Sequence, residues 1–180
     1  MLLVEGASDK LAVEALAVRR GRNLADEGID VVAMGGATNI GHYLDQYGPT
    51  GSDAALAGLF DIAEAPYLSR GLTRVGLGSG LGRAEMEALG FFACDADLED
   101  ELIRALGVRA VEEFVDEQGE LGSFRTLQKQ PAQRGRPITR QLHRFIGVKS
   151  GRKSRYAVGL VNLLDLTKVP RPLDRALAHL

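Results

Sequence analysis

Short continuous apolar runs alternate with helical apolar patterns over the first part of this chain. The runs predict strands at residues 2–4, 29–34, 54–60 and 89–94. Helical spacing predicts helices over residues 10–26, from about 39 to 47, over 63–74, and through 102–106. Strands that alternate with helices are typical of an α/β fold with a mostly parallel, here four-stranded, sheet flanked by helices.

From residue 108 onward the pattern predicts helices only. The predicted helices are residues 108–118, 121–130, 137–146, 152–165 and 171–179, separated by proline and glycine. We therefore expect an α/β part over residues 1–107 and a C-terminal helical extension over residues 108–180 that packs on it.

Composition sets the class of protein. The 180 residues suffice for one good core, and no apolar run approaches the ~20 residues that a membrane span requires. No basic, signal-like segment precedes the first strand, and Cys94 is the only cysteine, so we expect a cytoplasmic location without disulfides. The three histidines are scattered, which argues against structural zinc; we expect His143 at a surface or interface.

Charge is segregated along the chain. Residues 1–100 contain seven basic and sixteen acidic side chains, and no acid occurs between Glu120 and Asp165. The candidates for nucleic-acid contact in that interval are Arg125, Lys129, Arg134, Arg136, Arg140, Arg144, Lys149, Arg152 and Arg155. A basic stretch of this kind is typical of polyanion binding, and the alternative is a solvated helical face.

Glu5 directly follows the first predicted strand. Gly6 then lets the chain turn, and Ser8 is the expected N-cap of a helix whose first turn contains Asp9. Because parallel sheets bind ligands at the carboxyl ends of their strands, Glu5 and Asp9 are candidates for a hard cation such as Mg²⁺. The alternative is that Glu5 only accepts hydrogen bonds from the Ser8 and Asp9 amides.

Acidic residues also follow later strands. Asp61 and Glu64 follow the third, and Asp95, Asp97 and Glu99 follow the fourth. Carboxyl ends of parallel strands share one edge, so these groups are expected to gather, repel one another and need a divalent cation. Carboxylate-held Mg²⁺ is typical of phosphoryl transfer and phosphodiester cleavage.

Residues 4–9, the segment Leu59-Phe60-Asp61 and the segment Asp97-Leu98-Glu99 resemble the topoisomerase–primase (TOPRIM) domain. With the late basic helix, they are most similar to the TOPRIM nuclease half of the overcoming-lysogenisation-defect (OLD) family. The likeness covers residues 1–107 well and the remainder loosely. It implies a Rossmann-like TOPRIM fold and a nuclease that uses Mg²⁺ or Mn²⁺.

The resemblance also implies roles for single residues. Glu5 and Asp9 bind the first metal ion, and Glu5 also serves as a general acid or base. Asp61 corresponds to the first aspartate of an Asp-x-Asp pair. The residues that assist a second metal ion are Asp97 and Glu99. Lys153, within Ser150-Gly151-Arg152-Lys153, corresponds to a catalytic lysine late in the domain, and Lys129 and Lys149 are the alternatives for that role.

The chain departs from the family pattern in two respects. Position 63 is alanine where the second aspartate is expected, and Glu64 lies one residue further along. No Walker motif is present, so we expect any ATP dependence to come from a separate ATPase subunit.

The sequence thus predicts a Mg²⁺-dependent nuclease-like protein that cuts or nicks DNA, with RNA as an alternative substrate. Two further hypotheses stay open: a module that binds nucleic acid without cutting it, and a detached nuclease subunit of an ATPase partner. The pattern does not set the oligomeric state.

Overall fold

The computed structural model describes residues 1–149 and 151–180. In these residues a four-stranded sheet consists of β1 Leu2–Val4, β2 Val31–Ala33, β3 Ala57–Asp61 and β4 Phe91–Cys94. All strand pairs are parallel, in the order β2-β1-β3-β4. The predicted parallel α/β sheet flanked by helices is confirmed. Ser150, the first residue of the segment quoted around Lys153, lies outside the described residues.

Helices cover both faces of the sheet and form the C-terminal part. They are α1 Ala7–Arg19, α2 Ile40–Tyr47, α3 Ala65–Arg74, α4 Arg83–Ala88, α5 Leu98–Glu117, α6 Leu121–Lys129, α7 Ile138–Gly147, α8 Arg152–Leu163 and α9 Arg171–Ala178. Short 3₁₀ turns, Ala37–Asn39 and Ile62–Glu64, precede α2 and α3. Within the described residues, no helix combines the length and apolar character needed to cross a membrane.

Alternate residues of each strand face two different apolar layers. Leu2 and Val4 pack into a layer with α1 and α5 to α9, whereas Leu3 packs into a layer with α2, α3 and α4. All three side chains of β1 are at most 1% exposed. Burial on both faces explains why β1 is apolar throughout rather than alternating with polar residues.

Several element boundaries differ from the prediction. Helix α1 ends at Arg19 rather than near residue 26, because Gly21 takes a left-handed backbone conformation with φ of 71°. The Arg19 guanidinium then donates to the carbonyls of Val161 and Leu164, each at 2.7 Å, at the end of α8. The ends of α1 and α8 are therefore joined by one side chain.

Strands β2 and β3 are also shorter than predicted, and α4 was not predicted at all. Only six residues form α4, between the glycine-rich loop at 76–82 and β4, which is too short for a helical apolar period to stand out.

The C-terminal helices lie close to their predicted positions, and α5 crosses the predicted boundary between residues 107 and 108. Gly107 kinks α5 there, with φ of 78° and ψ of 158°. The apolar layer around α1 includes residues from both sides of this kink, such as Leu2 and Tyr156. The two parts of the chain therefore share a core.

A buried carboxylate joins the C-terminal helices. Glu120, just before α6, accepts hydrogen bonds from Arg152 at 3.0 Å, Arg155 at 2.7 Å and the Tyr156 hydroxyl at 2.9 Å. The Lys149 ammonium lies 3.6 Å away. Burial raises the pKa of Glu120, but the hydrogen bonds from Arg152 and Tyr156 outweigh it and bring the pKa down to about 2.

We predict that Glu120→Gln lowers the free energy of unfolding at pH 7 by about 3–5 kcal/mol, because it leaves the buried Arg152 guanidinium without a counter-charge. The loss should shrink as the pH is lowered from about 5 toward 2. The folded-state pKa of Glu120 lies below its ordinary 4.5, so its contribution is complete above 4.5 and disappears as the wild-type carboxylate becomes protonated.

Urea unfolding at several pH values measures both effects. Glu117→Gln, an exposed position on α5, is the matched control and should change the unfolding free energy by less than about 0.5 kcal/mol. An equal loss for the two variants at pH 7 would contradict the assignment of Glu120 as the joining residue.

Candidate metal centre

Glu5 lies at the carboxyl edge of the sheet, immediately after β1. Its carbonyl oxygen accepts hydrogen bonds from the amides of Gly35 and Gly36, at 3.0 and 3.1 Å, which ties the loop after β2 to the same edge. Its carboxylate is half-buried, and burial followed by the charge of Asp9 raises its pKa. The charge of Lys153 lowers the pKa of Glu5, but it does not offset burial and the neighbouring carboxylates.

Asp9 lies in the first turn of α1 and is 9% exposed. Its Oδ2 accepts a hydrogen bond from the Gly6 amide at 2.9 Å, so Gly6 is the N-cap and the expectation that Ser8 caps the helix is wrong. In the described part of the chain, neither the Ser8 nor the Asp9 amide donates to the Glu5 carboxylate, which removes the support for the alternative interpretation of Glu5. Burial raises the pKa of Asp9, and Lys153 partly offsets it.

Asp61 is the last residue of β3, and the 3₁₀ turn that follows ends at Glu64. Burial, followed by the charges of Glu5 and Asp97, raises the pKa of Asp61 to about 7. The charge of Glu64 in turn raises the pKa of Glu5. The carboxyl groups that follow β1 and β3 therefore act on one another electrostatically, as the shared edge of a parallel sheet predicts.

Asp97 is the N-cap of α5, and both of its oxygens have partners. Oδ1 accepts the Asp100 amide at 2.8 Å, and Oδ2 accepts His143 Nε2 at 2.5 Å. Burial pushes the pKa of Asp97 upward, but the hydrogen bonds from His143 and the Asp100 amide hold it below its ordinary value. The hydrogen bond with Asp97 raises the pKa of His143, so the pair favours an ionised carboxylate beside a protonated ring.

Glu99 and Lys153 form an ion pair beside this aspartate. Glu99 is 3% exposed, and Lys153 Nζ lies 3.1 Å from its Oε2. Neither Glu99 oxygen has a hydrogen-bond partner of good geometry within the described residues, and burial raises the pKa of Glu99 to about 7. Burial lowers the pKa of Lys153, but the charges of Glu99 and Asp9 outweigh it and raise the pKa, so the lysine stays charged.

His143 is the functional candidate that the sequence analysis placed at a surface or interface. It lies one helical turn from Arg140 on α7, and Arg140 contacts Asp100 at 3.6 Å while His143 contacts Asp97. In the sequence, the feature that points to His143 is its spacing of three residues from Arg140 on a strongly amphipathic helix. That spacing shows a shared face, but it does not identify a partner 46 residues earlier.

The predicted nucleic-acid residues separate into an exposed set and a set that is already paired. The exposed side chains on α6, α7 and the intervening loop are Lys129, Arg134, Arg136, Arg140 and Arg144. Of these, Arg140 contacts Asp100, and Arg134 donates to the Lys129 carbonyl at 3.0 Å. Two residues of the exposed set, Arg140 and Arg144, lie on α7, and Arg140 is the one that contacts an acid in the first turn of α5.

The other predicted contacts are engaged within the protein. Arg125 pairs with an acid of α5, and both Lys149 and Arg155 pair with Glu120. Arg152 is 5% exposed, so its burial removes it from any nucleic-acid interface and the expectation for this residue is corrected. Its guanidinium lies in the protein interior, where Glu120 neutralises its charge.

The acidic edge contains the donors that a hard divalent cation prefers. Within residues 1–149 and 151–180, no three acidic, histidine or cysteine side chains lie close enough to hold a metal ion as they stand. Carboxylate oxygens are nevertheless the ligands of Mg²⁺ and Mn²⁺, and both oxygens of the buried Glu99 lack hydrogen-bond partners. The chemistry of these donors and the raised pKa values of Glu5, Asp9, Asp61 and Glu99 fit such an ion.

Comparisons with known proteins show a family likeness in sequence and a likeness in fold. Residues 1–55 match a family model described as overcoming lysogenization defect protein-like, TOPRIM domain. No curated protein matches the chain.

Solved structures resemble nearly the whole chain. The C-terminal region of the Xanthomonas campestris pv. campestris OLD protein, phased with mercury, is 26% identical with a TM-score of 0.72, covering 99% of this chain and 92% of that one. The C-terminal region of the Burkholderia pseudomallei OLD protein has a TM-score of 0.73 and covers 99% and 94% of the two chains. At 22% identity, this second likeness shows the fold alone.

We predict that Mn²⁺ stabilises the wild-type protein, by about 2.7 kcal/mol at a hundred times its dissociation constant, and that Asp61→Asn abolishes most of this effect. Without metal, Asp61→Asn should raise the free energy of unfolding by up to about 4 kcal/mol at pH 8, since each of the roughly three pKa units is worth about 1.36 kcal/mol. The reason is that ionising Asp61 among its neighbours costs the folded state stability as the pH rises from 3.8 to about 7, and asparagine does not ionise.

Thermal unfolding with and without Mn²⁺ measures both changes. Asp95→Asn is the matched control, because Asp95 follows β4 but pairs with Arg83 at 2.8 Å. It should keep the response to Mn²⁺. If Asp61→Asn responded to Mn²⁺ as fully as the wild type, Asp61 would not be a ligand.

Proposed function

We propose that this chain, a TOPRIM domain resembling the C-terminal region of OLD proteins, is a nuclease that cleaves or nicks DNA with Mg²⁺ or Mn²⁺. TOPRIM domains generally bind divalent metal ions, and an OLD-like TOPRIM domain belongs to a nuclease-like family and suggests a nucleic-acid substrate. The assignment of DNA cleavage with Mg²⁺ or Mn²⁺ to this chain rests on its own residues.

One observation supports the proposal above all others. Carboxyl groups that follow three different strands, Glu5, Asp61 and Asp97, act on one another at a single edge, and Lys153 from α8 reaches the same edge. A structural role would not require like charges to be held together at the cost of the raised pKa values of Glu5 and Asp61. Perturbed pKa values at an exposed edge are typical of functional sites.

The proposed ligands fall into two groups. Glu5, Asp9 and Asp61 hold the first cation, and Asp97 and Glu99 assist a second. A bound Mg²⁺ or Mn²⁺ supplies Lewis-acid activation of a phosphate oxygen and lowers the pKa of a bound water.

The remaining chemistry belongs to the side chains themselves. Glu5, whose pKa is raised, accepts or returns a proton at its carboxylate. Lys153, which stays charged beside Glu99, stabilises negative charge that develops on the phosphate.

Glu64 takes the place of the missing aspartate in this proposal. Ala63 is exposed in the 3₁₀ turn after Asp61 and offers no ligand, whereas the charge of Glu64 reaches Glu5. The turn of helix between Asp61 and Glu64 brings the longer side chain back toward the edge.

The substrate contact is assigned to α7 and its flanks. Arg140 and Arg144 are four residues apart on α7, so they lie on one side of the helix about 6 Å apart, similar to the spacing of phosphates along a strand, and the exposed Arg136 lies just before the helix begins. Contacts of this kind neutralise phosphates without reading the sequence. DNA is the proposed substrate, and RNA is the alternative for the same contacts.

A second candidate function is nucleic-acid binding without cleavage. Ala63 in the Asp-x-Asp position and the absence of a preformed three-ligand set among the described residues favour it. Gel shifts that do not need metal and that survive Glu5→Gln, without cleavage, would support this function instead.

ATP hydrolysis is not assigned to these 180 residues, because their sequence contains no Walker motif. A separate ATPase subunit is therefore part of the proposal for any ATP dependence. Co-purification from the native host is the measurement that tests it.

We predict that the wild-type protein nicks supercoiled plasmid in Mg²⁺ or Mn²⁺, and that Glu5→Gln and Lys153→Met each slow nicking by at least about 100-fold. Lys153→Arg keeps the positive charge and should retain more activity than Lys153→Met. Lys168→Met, at an exposed lysine between α8 and α9, is the matched control and should leave the rate unchanged. Circular dichroism confirms that each variant is folded.

The nuclease proposal fails if the wild type cuts neither single-stranded nor double-stranded DNA in either metal. The role proposed for Lys153 is contradicted if Lys153→Met is folded and as active as the wild type.

We predict that Arg136→Gln and Arg144→Gln each weaken duplex binding uniformly across sequences and reduce the slope of log K against log salt by about 0.9. Arg109→Gln, on the exposed side of α5, is the control and should leave the slope unchanged. Fluorescence anisotropy over a salt series measures the slopes. A flat salt response of the wild type would contradict the phosphate contacts.

A further inference from the structure

A surface groove lies between α2 and α3, on the face of the sheet that α7 does not occupy. We call it the α3 groove. Its volume is about 290 Å³. It is lined by Thr38, Ile40, Gly41, Tyr67, Arg70, Gly71 and Arg74. The groove is large enough for a planar ring, and two of the lining residues, Tyr67 and Arg70, carry planar groups themselves.

Glycine forms much of the floor of the α3 groove. A Cβ atom at Gly71 would lie 2.9 Å from the Leu44 side chain, and one at Gly41 would lie 2.8 Å from the Arg74 guanidinium. Arg74 in turn donates to the Gly41 carbonyl at 2.7 Å. The two helices therefore approach closely at these glycines, and the Arg74 guanidinium covers the backbone of Gly41.

Tyr67 and Arg70 form the accessible wall of the α3 groove. The tyrosine is 41% exposed, and the Arg70 guanidinium lies over one face of its ring, 4.9 Å from the ring centre. Arg70 has no acidic partner within the described residues, unlike Arg74, which pairs with Asp45 at 2.7 Å. An exposed aromatic ring beside an uncompensated arginine suits a ligand that is both planar and anionic.

The α3 groove opens beside the acidic edge. Tyr67 follows Glu64 by three residues, so the two side chains lie on one face of the same helical segment, about 5–6 Å apart at their Cβ atoms. Glu64 acts electrostatically on Glu5, and Thr38 belongs to the turn that follows β2 at the same edge. A ligand in the groove therefore lies next to the carboxylates.

The acidic edge of the sheet lies between two surfaces, and each surface suits a different part of one nucleic-acid strand. Helix α7 packs in the apolar layer on one face of the sheet, whereas α2 and α3 pack in the layer on the other. A nucleic-acid strand that leaves the cations of α7 and enters the α3 groove must pass over the carboxylates between them. This path places a phosphodiester bond at the proposed catalytic edge.

We propose that the α3 groove binds an unpaired base of the strand being cut, with the base stacked on Tyr67 and a neighbouring phosphate near Arg70. This inference rests on the nuclease function proposed above and specifies its substrate as single-stranded or locally unpaired nucleic acid. In a duplex both faces of a base are covered by its neighbours, so a stacking wall of this kind recognises only a base that has left the stack.

The first test uses the absence of tryptophan from the sequence. Tyr67→Trp introduces the only indole, and a base stacked on it quenches its fluorescence. We expect a short oligothymidylate to quench the emission of Tyr67→Trp, and a hairpin duplex of the same length to leave it nearly unchanged. The titration is done in Ca²⁺ without Mg²⁺ or Mn²⁺, and gel electrophoresis verifies that the strand stays intact.

Val18→Trp is the matched control. Val18 is 72% exposed near the end of α1 that lies away from the carboxyl edge. Its emission should not respond to either nucleic acid. Equal quenching of the two variants, or no quenching of Tyr67→Trp by a strand that binds, would overturn the stacking proposal.

The second test measures affinity by fluorescence anisotropy. Tyr67→Ala should weaken single-strand binding by about 5- to 100-fold and leave duplex binding unchanged, whereas Tyr67→Phe, which keeps the ring, should bind within about twofold of the wild type. Equal effects of Tyr67→Ala on single strand and duplex would overturn the proposal. Quenching of Tyr67→Trp by free thymidine monophosphate as strong as by the oligonucleotide would reassign the groove to free nucleotides.

Cleavage of plasmid and stacking on Tyr67 are measured independently. A wild type that cuts plasmid while Tyr67→Ala binds single strands normally would overturn the α3 groove and leave the nuclease. A wild type that neither binds nor cuts nucleic acid would overturn both.

Discussion

Repulsion between carboxylates at one edge of a parallel sheet is the constraint on which the rest of this structure depends. The carboxylates that follow β1 and β3 cannot move apart, because the ends of these strands are fixed by their pairing in register. The only lysine contact made at this edge by the described residues comes from α8, where Lys153 pairs with Glu99. The helical part of the chain therefore completes the edge that the sheet begins, and a core shared by both parts holds the two in place.

Two adjacent residues of α8, Arg152 and Lys153, neutralise carboxylates in two different places. Arg152 points into the protein and neutralises Glu120, while Lys153 points to the acidic edge and neutralises Glu99. The interior contact fixes the start of α8, and that fixed start determines where Lys153 can reach. The residue that joins the C-terminal helices is thus also a support for the proposed site, although it lies outside it.

The features that depend on local sequence pattern could be predicted from the sequence alone. Apolar runs located the strands, and strand ends located Glu5, Asp61 and Asp97 on one edge, because parallel pairing leaves no other arrangement. The partners contributed by the helices were harder to predict. The contact between His143 and Asp97 joins residues 46 positions apart, and nothing in the spacing of α7 specifies it. Arg152 looked like its basic neighbours because charge alone does not show which side of a helix is buried.

The link from Arg19 to the end of α8 has an electrostatic consequence for the acidic edge. Because Arg19 joins the last turns of α1 and α8, and Asp9 and Lys153 lie in their first turns, the two helices run in the same direction. Both amino-terminal ends, together with that of α5 at Asp97, face the carboxylates, and each helix macrodipole places about half a positive charge there. The peptide backbone therefore makes the edge less negative than a count of its side chains suggests. A phosphate group can approach it against a smaller barrier, and no side-chain substitution removes that contribution.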